Sequence, residues 1–336
     1  MQISSAEQLV IDDVFVDLDP VIGAPIVLKV EGLNFGGSIK LKTAVSMLDA
    51  AEAAGVLRPG SVIVESSSGN LGVALSVIAA GRGYGFVCVM DPRSSVQNRR
   101  HIEATGGRVI VVDELDSNQG FLTSRIDCVR ALCAADDRYV WLNQYANSAN
   151  WLGHYASTAP AIVREYPDLE VLYVGAGTTG TLMGCVRYLR DIGHRARVVA
   201  IDSVGSITFP GSGPGTRFIP GLGSSRRPEI FEPAEVGEVV HVHEADSVRM
   251  CRELARAGFL FGGSTGTVLA GALRHLAFEE PGGGVRVAVA PDLGERYLDT
   301  VYDDDWVAEH YGAGTVARHS GVVPPSSLAA VANGAA

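Results

Sequence analysis

Val171-Leu172-Tyr173-Val174-Gly175-Ala176-Gly177-Thr178-Thr179-Gly180-Thr181-Leu182-Met183-Gly184 runs from an apolar, β-branched segment through a glycine and threonine loop into a helix-like stretch. The pattern reads as strand, loop, helix. Amides left free at the start of that helix sit at its positive end, where a phosphate monoester or a pyrophosphate would be held. The loop also satisfies G-x-G-x-x-G, and Asp202 closes the next strand about 20 residues further on, so a dinucleotide site is a second reading of the same residues. A third is structural, because close helix–strand packing by itself wants small residues.

The same alternation extends in both directions. Val62–Glu65, Phe86–Met90, Val109–Val112, Tyr139–Leu142, Val198–Ile201, Val239–Val242 and Val285–Ala290 read as further buried strands, and Val73–Ala80, Ser95–Thr105, Leu182–Asp191, Ser247–Ala257 and Val268–Phe278 as helices. Repeated strand–loop–helix units predict an α/β fold with mostly parallel sheets covered on both faces, its ligands beyond the carboxyl ends of the strands. Gly205–Arg227, rich in Gly, Pro and Ser, is too long for an ordinary connector and reads as a functional loop or a lid. Beyond about Gly312 the composition suggests a flexible tail.

Composition narrows the function. Forty glycines in 336 residues exceed the usual ~7 %, while 47 % hydrophobic residues and 15 prolines exclude a collagen-like or disordered chain. A net charge of −11 argues against nucleic acid and anionic membranes as partners. Five cysteines without a C-x-x-C pair suggest reduced thiols rather than a disulfide framework or a zinc site. His241 and His243 share a strand face but lack a third ligand nearby in sequence, so no metal is expected. His154 reads as a packed or hydrogen-bonded helix residue. Met1 to Asp19 lacks a basic segment followed by an apolar run, and no stretch approaches membrane-spanning length, so a cytoplasmic protein is expected.

Three more loops can carry chemistry. Glu65-Ser66-Ser67-Ser68-Gly69-Asn70-Leu71-Gly72 gathers hydroxyls and amides suited to a carboxylate, or else simply caps a helix. Asn34-Phe35-Gly36-Gly37-Ser38-Ile39-Lys40 ends in a lysine that is either a solvated charge or, in a desolvated pocket, a nucleophile and base. Gly262-Gly263-Ser264-Thr265-Gly266 places a hydroxyl at a helix start.

In this order the loops resemble those of the cysteine synthase and cystathionine β-synthase family, the fold type II enzymes that use pyridoxal 5′-phosphate. Asn34 to Lys40 is similar to the family's N-P-x-x-S-x-K, with Phe35 in place of proline. Ser68 to Gly72 matches S-G-N-x-G, Gln144 to Asn150 matches Q-[FY]-x-N-x-x-N, and Gly175 to Thr181 matches G-x-G-T-G-G-T, with Thr179 in place of a glycine. Gly262 to Gly266 and Gly294 to Leu298 match two further elements, so the likeness spans about Ile22 to Thr300.

The resemblance implies a tryptophan synthase β-like fold of two doubly wound lobes. Residues 10–42 with 156–312 would form a large cofactor-binding domain, 43–155 a small mobile one, and 313–336 the tail. Lys40 would be the catalytic, cofactor-bearing lysine. Gly177, Thr178, Thr179, Gly180 and Thr181 would cradle the phosphate, Asn70 would bond the ring hydroxyl, and Ser264 would face the pyridine nitrogen. Ser67, Ser68, Gly69, the Leu71 amide and Gln144 would hold the substrate α-carboxylate. A hydroxyl at Ser264 cannot hold a protonated ring nitrogen as a carboxylate would, which favours β-elimination over transamination.

S-S-G-N-L-G together with G-A-G-T-T-G-T-L-M-G resembles a narrower branch, the N-(2-amino-2-carboxyethyl)-L-glutamate synthases. These join O-phospho-L-serine to L-glutamate on the way to 2,3-diaminopropionate for siderophores and peptide antibiotics. Two anionic substrates need cations, and Arg217 and Arg226, in the rim segment Gly215–Arg227, are the candidates. The resemblance further implies a homodimer acting on amino-acid substrates. The alternatives are a cysteine synthase using O-acetylserine or O-phosphoserine with sulfide, a non-catalytic ligand sensor on the same fold, and, least favoured, a dinucleotide oxidoreductase.

Overall fold

In the computed structural model, residues 2–115, 120–279 and 282–316 are described, and they contain ten strands. In chain order these are β1 (Phe15–Asp17), β2 (Val27–Val30), β3 (Val62–Ser66), β4 (Gly85–Met90), β5 (Arg108–Val111), β6 (Tyr139–Trp141), β7 (Leu169–Gly175), β8 (Arg197–Ser203), β9 (Glu238–Val242) and β10 (Val285–Ala290). They form two sheets, one of six strands in the order β1-β2-β10-β7-β8-β9 and one of four in the order β5-β4-β3-β6. Every pairing is parallel except β1 with β2. The α/β class read from the strand–loop–helix repeats is therefore the observed one.

Parallel sheets are covered on both faces, so their strands bury nearly every residue. In β10 all but Val285 are buried, and in β4 all but Gly85. Alternate side chains serve opposite faces. Tyr173, Val199 and Ile201 of the larger sheet pack with Val268, Leu269 and Ala272 of the helix Gly263–Leu276. Leu172, Val174 and Ala200 turn the other way, onto Leu182, Met183 and Leu189 of the helix Gly180–Asp191. In the smaller sheet Ile63 and Cys88 face Val73, Ala74 and Val77 of the helix Asn70–Arg82, while Val64, Val87 and Val89 meet Val129 of the helix Leu122–Ala135.

Two strands escape the sequence pattern. β1 has only three residues, and β2 carries Lys29, which is fully buried. That lysine is tolerated because its Nζ donates to the Asp12 carbonyl at 2.5 Å and lies 3.5 Å from Glu31, which also pairs with Lys42 at 2.7 Å. The five cysteines are free, as read from their spacing. Of the segment read as a tail, Ala313–Val316 forms a helical turn, and residues 317–336 lie outside the described residues. Among the described residues no helix is long and apolar enough to cross a membrane.

Candidate active site

The loops beyond the carboxyl ends of β2, β3, β7 and β10 converge. After β2, Asn34 fixes the turn by donating from Nδ2 to the carbonyls of Glu31 and Ser38, 3.0 Å each. The segment is stitched to the end of β10 by the Ile39 amide on the Pro291 carbonyl, 2.7 Å, and by a bridge between Ser38 and Asp292. Lys40 thereby opens the helix Lys40–Ala53 directly beside Asp292. Phe35, standing in for the family's proline, points to solvent and is 53 % exposed.

Lys40, Asn70, Gly177, Thr178, Thr179, Gly180, Thr181 and Ser264, picked from the sequence as the cofactor set, line a single cavity. Burial pushes the Lys40 amine down to about 8, against the opposing pull of the Asp292 charge. At the other end, none of the amides of Gly177 to Thr181 has a partner among the described residues. The Thr178 hydroxyl oxygen accepts from Asn150 Nδ2 at 3.0 Å, which leaves its hydrogen free for a ligand. A β-carbon on Gly177 would collide with the Gly221 carbonyl, and one on Gly180 with the Asn150 side chain. Five free donors on a helix N-terminus, kept open by glycine, fit a phosphate group.

Two neutral contacts brace this cradle. His154 is fully buried, and its Nε2 lies 2.9 Å from Thr43 Oγ1 and 3.3 Å from Thr181 Oγ1, while Nδ1 meets Thr158 Oγ1 at 3.1 Å. Burial holds the imidazole well below its ordinary pKa, so it stays uncharged, in keeping with the hydrogen-bonded helix residue expected from sequence. Thr179 adopts φ 66°, the left-handed region, and its hydroxyl donates to the Thr178 carbonyl at 2.6 Å.

The loop after β3 is divided in its work. The Ser67 hydroxyl accepts from the Gly72 amide at 3.0 Å and so caps the helix Asn70–Arg82, the structural alternative read from sequence. The amides of Ser68, Asn70 and Leu71 have no partner among the described residues, so the loop still offers donors to an anion. Gln144 lies alongside, its Nε2 donating to the Ser66 carbonyl at 3.1 Å and its amide to Glu65 Oε2 at 3.3 Å. Glu65 is wholly buried, bonded by Trp141 Nε1 at 2.9 Å and by the Ser66 amide at 3.0 Å, and forms no ion pair among the described residues; burial pushes its carboxyl up to about 7.

Four residues had no role in the sequence reading. Asp292, 1 % exposed, accepts from Asn70 Nδ2 and from Ser264 Oγ, both at 2.9 Å, and from the Tyr297 hydroxyl at 2.5 Å. Arg296 donates to Asn70 Oδ1 at 2.9 Å and to the Gly36 carbonyl at 2.7 Å, which fixes the orientation of the Asn70 amide. The fourth is Arg125 on the helix Leu122–Ala135. Its side chain is buried 3.4 Å from Asp91, yet Nε and Nη1 have no hydrogen-bond partner among the described residues. The Gly294–Leu298 match was the available signal for Asp292 and Arg296; nothing local marks Arg125.

Arg217 and Arg226 do not line the cavity. Arg217 donates to the Gly205 carbonyl and, at 2.9 Å, to Ser225 Oγ; Arg226 pairs with Glu229 and lies over the Tyr145 ring at 5.9 Å. Burial raises the half-buried Tyr145 hydroxyl and the Glu65 charge adds to this, while the positive charges of Arg125, Arg226 and Arg217 pull it back. Three guanidinium charges and one carboxylate thus act on the residue next to Gln144.

The dinucleotide reading loses its footing. Asp202, on which the dinucleotide reading turned, is fully buried and bonded by its neighbour Ser203 at 2.9 Å. Glu238, His275 and Glu279 do bring three ligand atoms together on the far side of the larger sheet, but Arg197 pairs with both carboxylates there. Neither His241 nor His243 joins them.

A phosphate cradle and a half-buried lysine lining one cavity, at the carboxyl ends of parallel strands, fit a cofactor that carries both a phosphate and an aldehyde. Residues 16–292 match the family described as pyridoxal-phosphate dependent enzyme, and the chain belongs to that family. Within it, the chain is 40 % identical over 287 residues to an N-(2-amino-2-carboxyethyl)-L-glutamate synthase of Ralstonia nicotianae, covering 85 % of this chain and 84 % of that protein.

Its fold is similar to that of an O-ureido-L-serine synthase, with TM-score 0.81 and 32 % identity over 92 % of this chain and all of that one. It is also similar to a hydrogen sulfide-producing enzyme from Fusobacterium nucleatum, with TM-score 0.82 and 26 % identity over 88 % of this chain and all of that one. The expected cofactor and enzyme class are thereby met.

Proposed function

We propose that this enzyme joins O-phospho-L-serine and L-glutamate, replacing the phosphate on Cβ by the glutamate nitrogen to give N-(2-amino-2-carboxyethyl)-L-glutamate and phosphate. The observation that carries the choice of substrates is Arg226 over the Tyr145 ring at 5.9 Å, next to Gln144 of the carboxylate-binding set, with the charges of Arg125 and Arg217 also reaching that tyrosine, in a chain whose net charge is −11. Arg125, buried beside Asp91 and with no hydrogen bond to Nε or Nη1 among the described residues, is the strongest of the three as an anion ligand. The relative in Ralstonia nicotianae supports the same reaction by its name.

The cofactor, when bound, supplies an aldehyde that takes up amines and a ring that withdraws electrons from the substrate α-carbon. In this reading Lys40 would hold the cofactor, and its amine would remove the Cα proton of the substrate and later return it. An amine near pKa 8 is partly unprotonated close to neutral pH, as such a base must be. Gly177 to Thr181 would hold the cofactor phosphate, Asn70 would bond the ring hydroxyl, and Ser264 would face the ring nitrogen. Ser68, Gly69, Leu71 and Gln144 hold the α-carboxylate, with Ser67 shaping their loop.

Residues 43–155 form the lobe that closes on the substrate and excludes water between loss of phosphate and arrival of glutamate. The enzyme works as a cytoplasmic homodimer supplying 2,3-diaminopropionate to siderophore or antibiotic assembly.

The test is to incubate the purified, yellow holoenzyme with O-phospho-L-serine and glutamate, sulfide or homocysteine and to read products by mass spectrometry. Release of phosphate with the glutamate adduct, absent in Lys40→Ala, is the expected result. Conversion of sulfide but not glutamate would make the enzyme a cysteine synthase, and a colourless protein that takes up no cofactor would remove the reading altogether.

A further inference from the structure

We propose that Glu65 is a positioning residue for the substrate: its buried carboxyl fastens the turn at Asn143 and Gln144 to the loop Ser66–Gly72 and so sets the pocket that holds the α-carboxylate. The inference rests on the reading that Ser68, Gly69, Leu71 and Gln144 hold that carboxylate. Glu65 acts on it only through them.

The two halves of this pocket leave the smaller sheet from different strands, one after β3 and the other after β6. The ladder joining those strands ends at the pair Val64 and Trp141. Beyond it, residues 66–72 and 143–150 share no main-chain hydrogen bond among the described residues. Side chains make the link instead. Glu65 Oε1 accepts from the Ser66 amide at 3.0 Å and from Trp141 Nε1 at 2.9 Å, and Oε2 accepts from the Gln144 amide at 3.3 Å. The Asn143 amide bonds the same carboxyl. Gln144 returns the tie, with Nε2 donating to the Ser66 carbonyl at 3.1 Å.

Asn143 turns the chain at φ 53°, a conformation that few residues other than glycine adopt, and both it and its successor give their amides to Glu65. A buried carboxyl without an ion pair is costly in itself. Here the cost is offset by donors drawn from both segments, and an apolar side chain in its place would leave those donors without this acceptor. Glutamine has the same length but a single oxygen. It can serve the Ser66 side or the Gln144 side, and its NH2 group then faces donors on the other. Aspartate keeps two oxygens and, one methylene shorter, draws them back from Gln144.

The test compares wild type, Glu65→Gln and Glu65→Asp as holoenzymes at about pH 8, above the value of about 7 to which burial raises this carboxyl, so that both oxygens accept. Three quantities are read: KM and kcat for O-phospho-L-serine, the inhibition constant of O-phosphoethanolamine, which is the same molecule without the α-carboxylate, and the affinity of apoenzyme for the cofactor. Glu65→Gln is expected to raise KM about tenfold or more, with kcat, the inhibition constant and cofactor affinity little changed. Glu65→Asp is expected to act in the same direction and serves where the glutamine variant does not fold. An unchanged KM overturns the proposal, and so does a KM that rises only together with the inhibition constant, which would mean that the whole site has loosened. If Gln144→Ala raises KM and neither Glu65 variant does, the reading of the carboxylate pocket stands and the proposal falls. If O-phosphoethanolamine binds the wild type as well as O-phospho-L-serine does, the carboxylate gains nothing from this pocket and both fall.

Discussion

Gly177 lies against the carbonyl of Gly221, with no room between them for a β-carbon. The phosphate loop and the rim loop are thus in backbone contact, and Gly221, at φ 108°, also leaves no space beside Ser264 Oγ. Gly177→Ala must push the rim loop away, because a backbone oxygen cannot swing aside as a side chain can. Overpacking of this kind costs about 1–3 kcal/mol. The variant is expected to fold and to bind pyridoxal phosphate about ten to a hundred times more weakly, measured by titrating apoenzyme with the cofactor; unchanged affinity would show that the contact is not needed.

Uptake of the cofactor should follow the charge of Lys40. The protonated amine is inert toward an aldehyde, and burial brings its pKa from 10.5 down to about 8. The rate of capture by apoenzyme is expected to rise with pH and level off with a midpoint near 8, read by the growth of visible absorbance. Asp292→Asn removes a negative charge that opposes the shift, so its midpoint should move lower. A midpoint at the ordinary lysine value in both proteins would mean that the amine is solvated.

Glu65 makes stability depend on pH. Its folded pKa, about 7, lies above the value of 4.5 taken for an unburied carboxyl, so between these values the folded state holds a proton that the unfolded state has lost. Stability contributed by the neutral form is therefore complete below pH 4.5, declines as pH rises and is gone above about 7, a change of about 3 kcal/mol at 1.36 kcal/mol per unit. Denaturant titrations between pH 5 and 8 should show a shallower fall in stability for Glu65→Gln than for the wild type. Equal slopes would place the charge change elsewhere.

Thr179 is a β-branched residue at positive φ, a conformation that costs an L-residue about 1–2 kcal/mol. Thr179→Ala and Thr179→Gly both lose the hydroxyl bond to Thr178, but only alanine keeps the strained β-carbon. The glycine variant is expected to be the more stable by about 1 kcal/mol in denaturation of the apoenzyme. If alanine were equal or better, the loop would not be strained at this residue.

Much of this arrangement is legible in sequence because it is local. The buried runs at β3, β4, β7, β8 and β10, and the glycine loops after them, each declare themselves within a dozen residues. β2 does not, because Lys29 breaks its apolar run and is reconciled only by Asp12 and Glu31. The helix Lys40–Ala53 lacks a clean stripe, since Lys42 and Thr43 are buried along with Leu41 and Leu48. Asp292 stayed unread for a different reason. Its partners Ser264 and Asn70 lie 28 and 222 residues away, so its environment exists only once both sheets are assembled. Arg125 is likewise one arginine among many until its unsatisfied nitrogens are seen beside Asp91.

Through His154, Thr43 on the helix that begins with Lys40 is tied to Thr181 on the helix that begins the phosphate cradle. The amine and the cradle are consequently set at a fixed span before any ligand arrives, like the jaws of a calliper. Such a span discriminates by the length of a molecule rather than by its groups alone: a phosphorylated aldehyde with a longer or shorter arm could dock at one jaw but not reach the other.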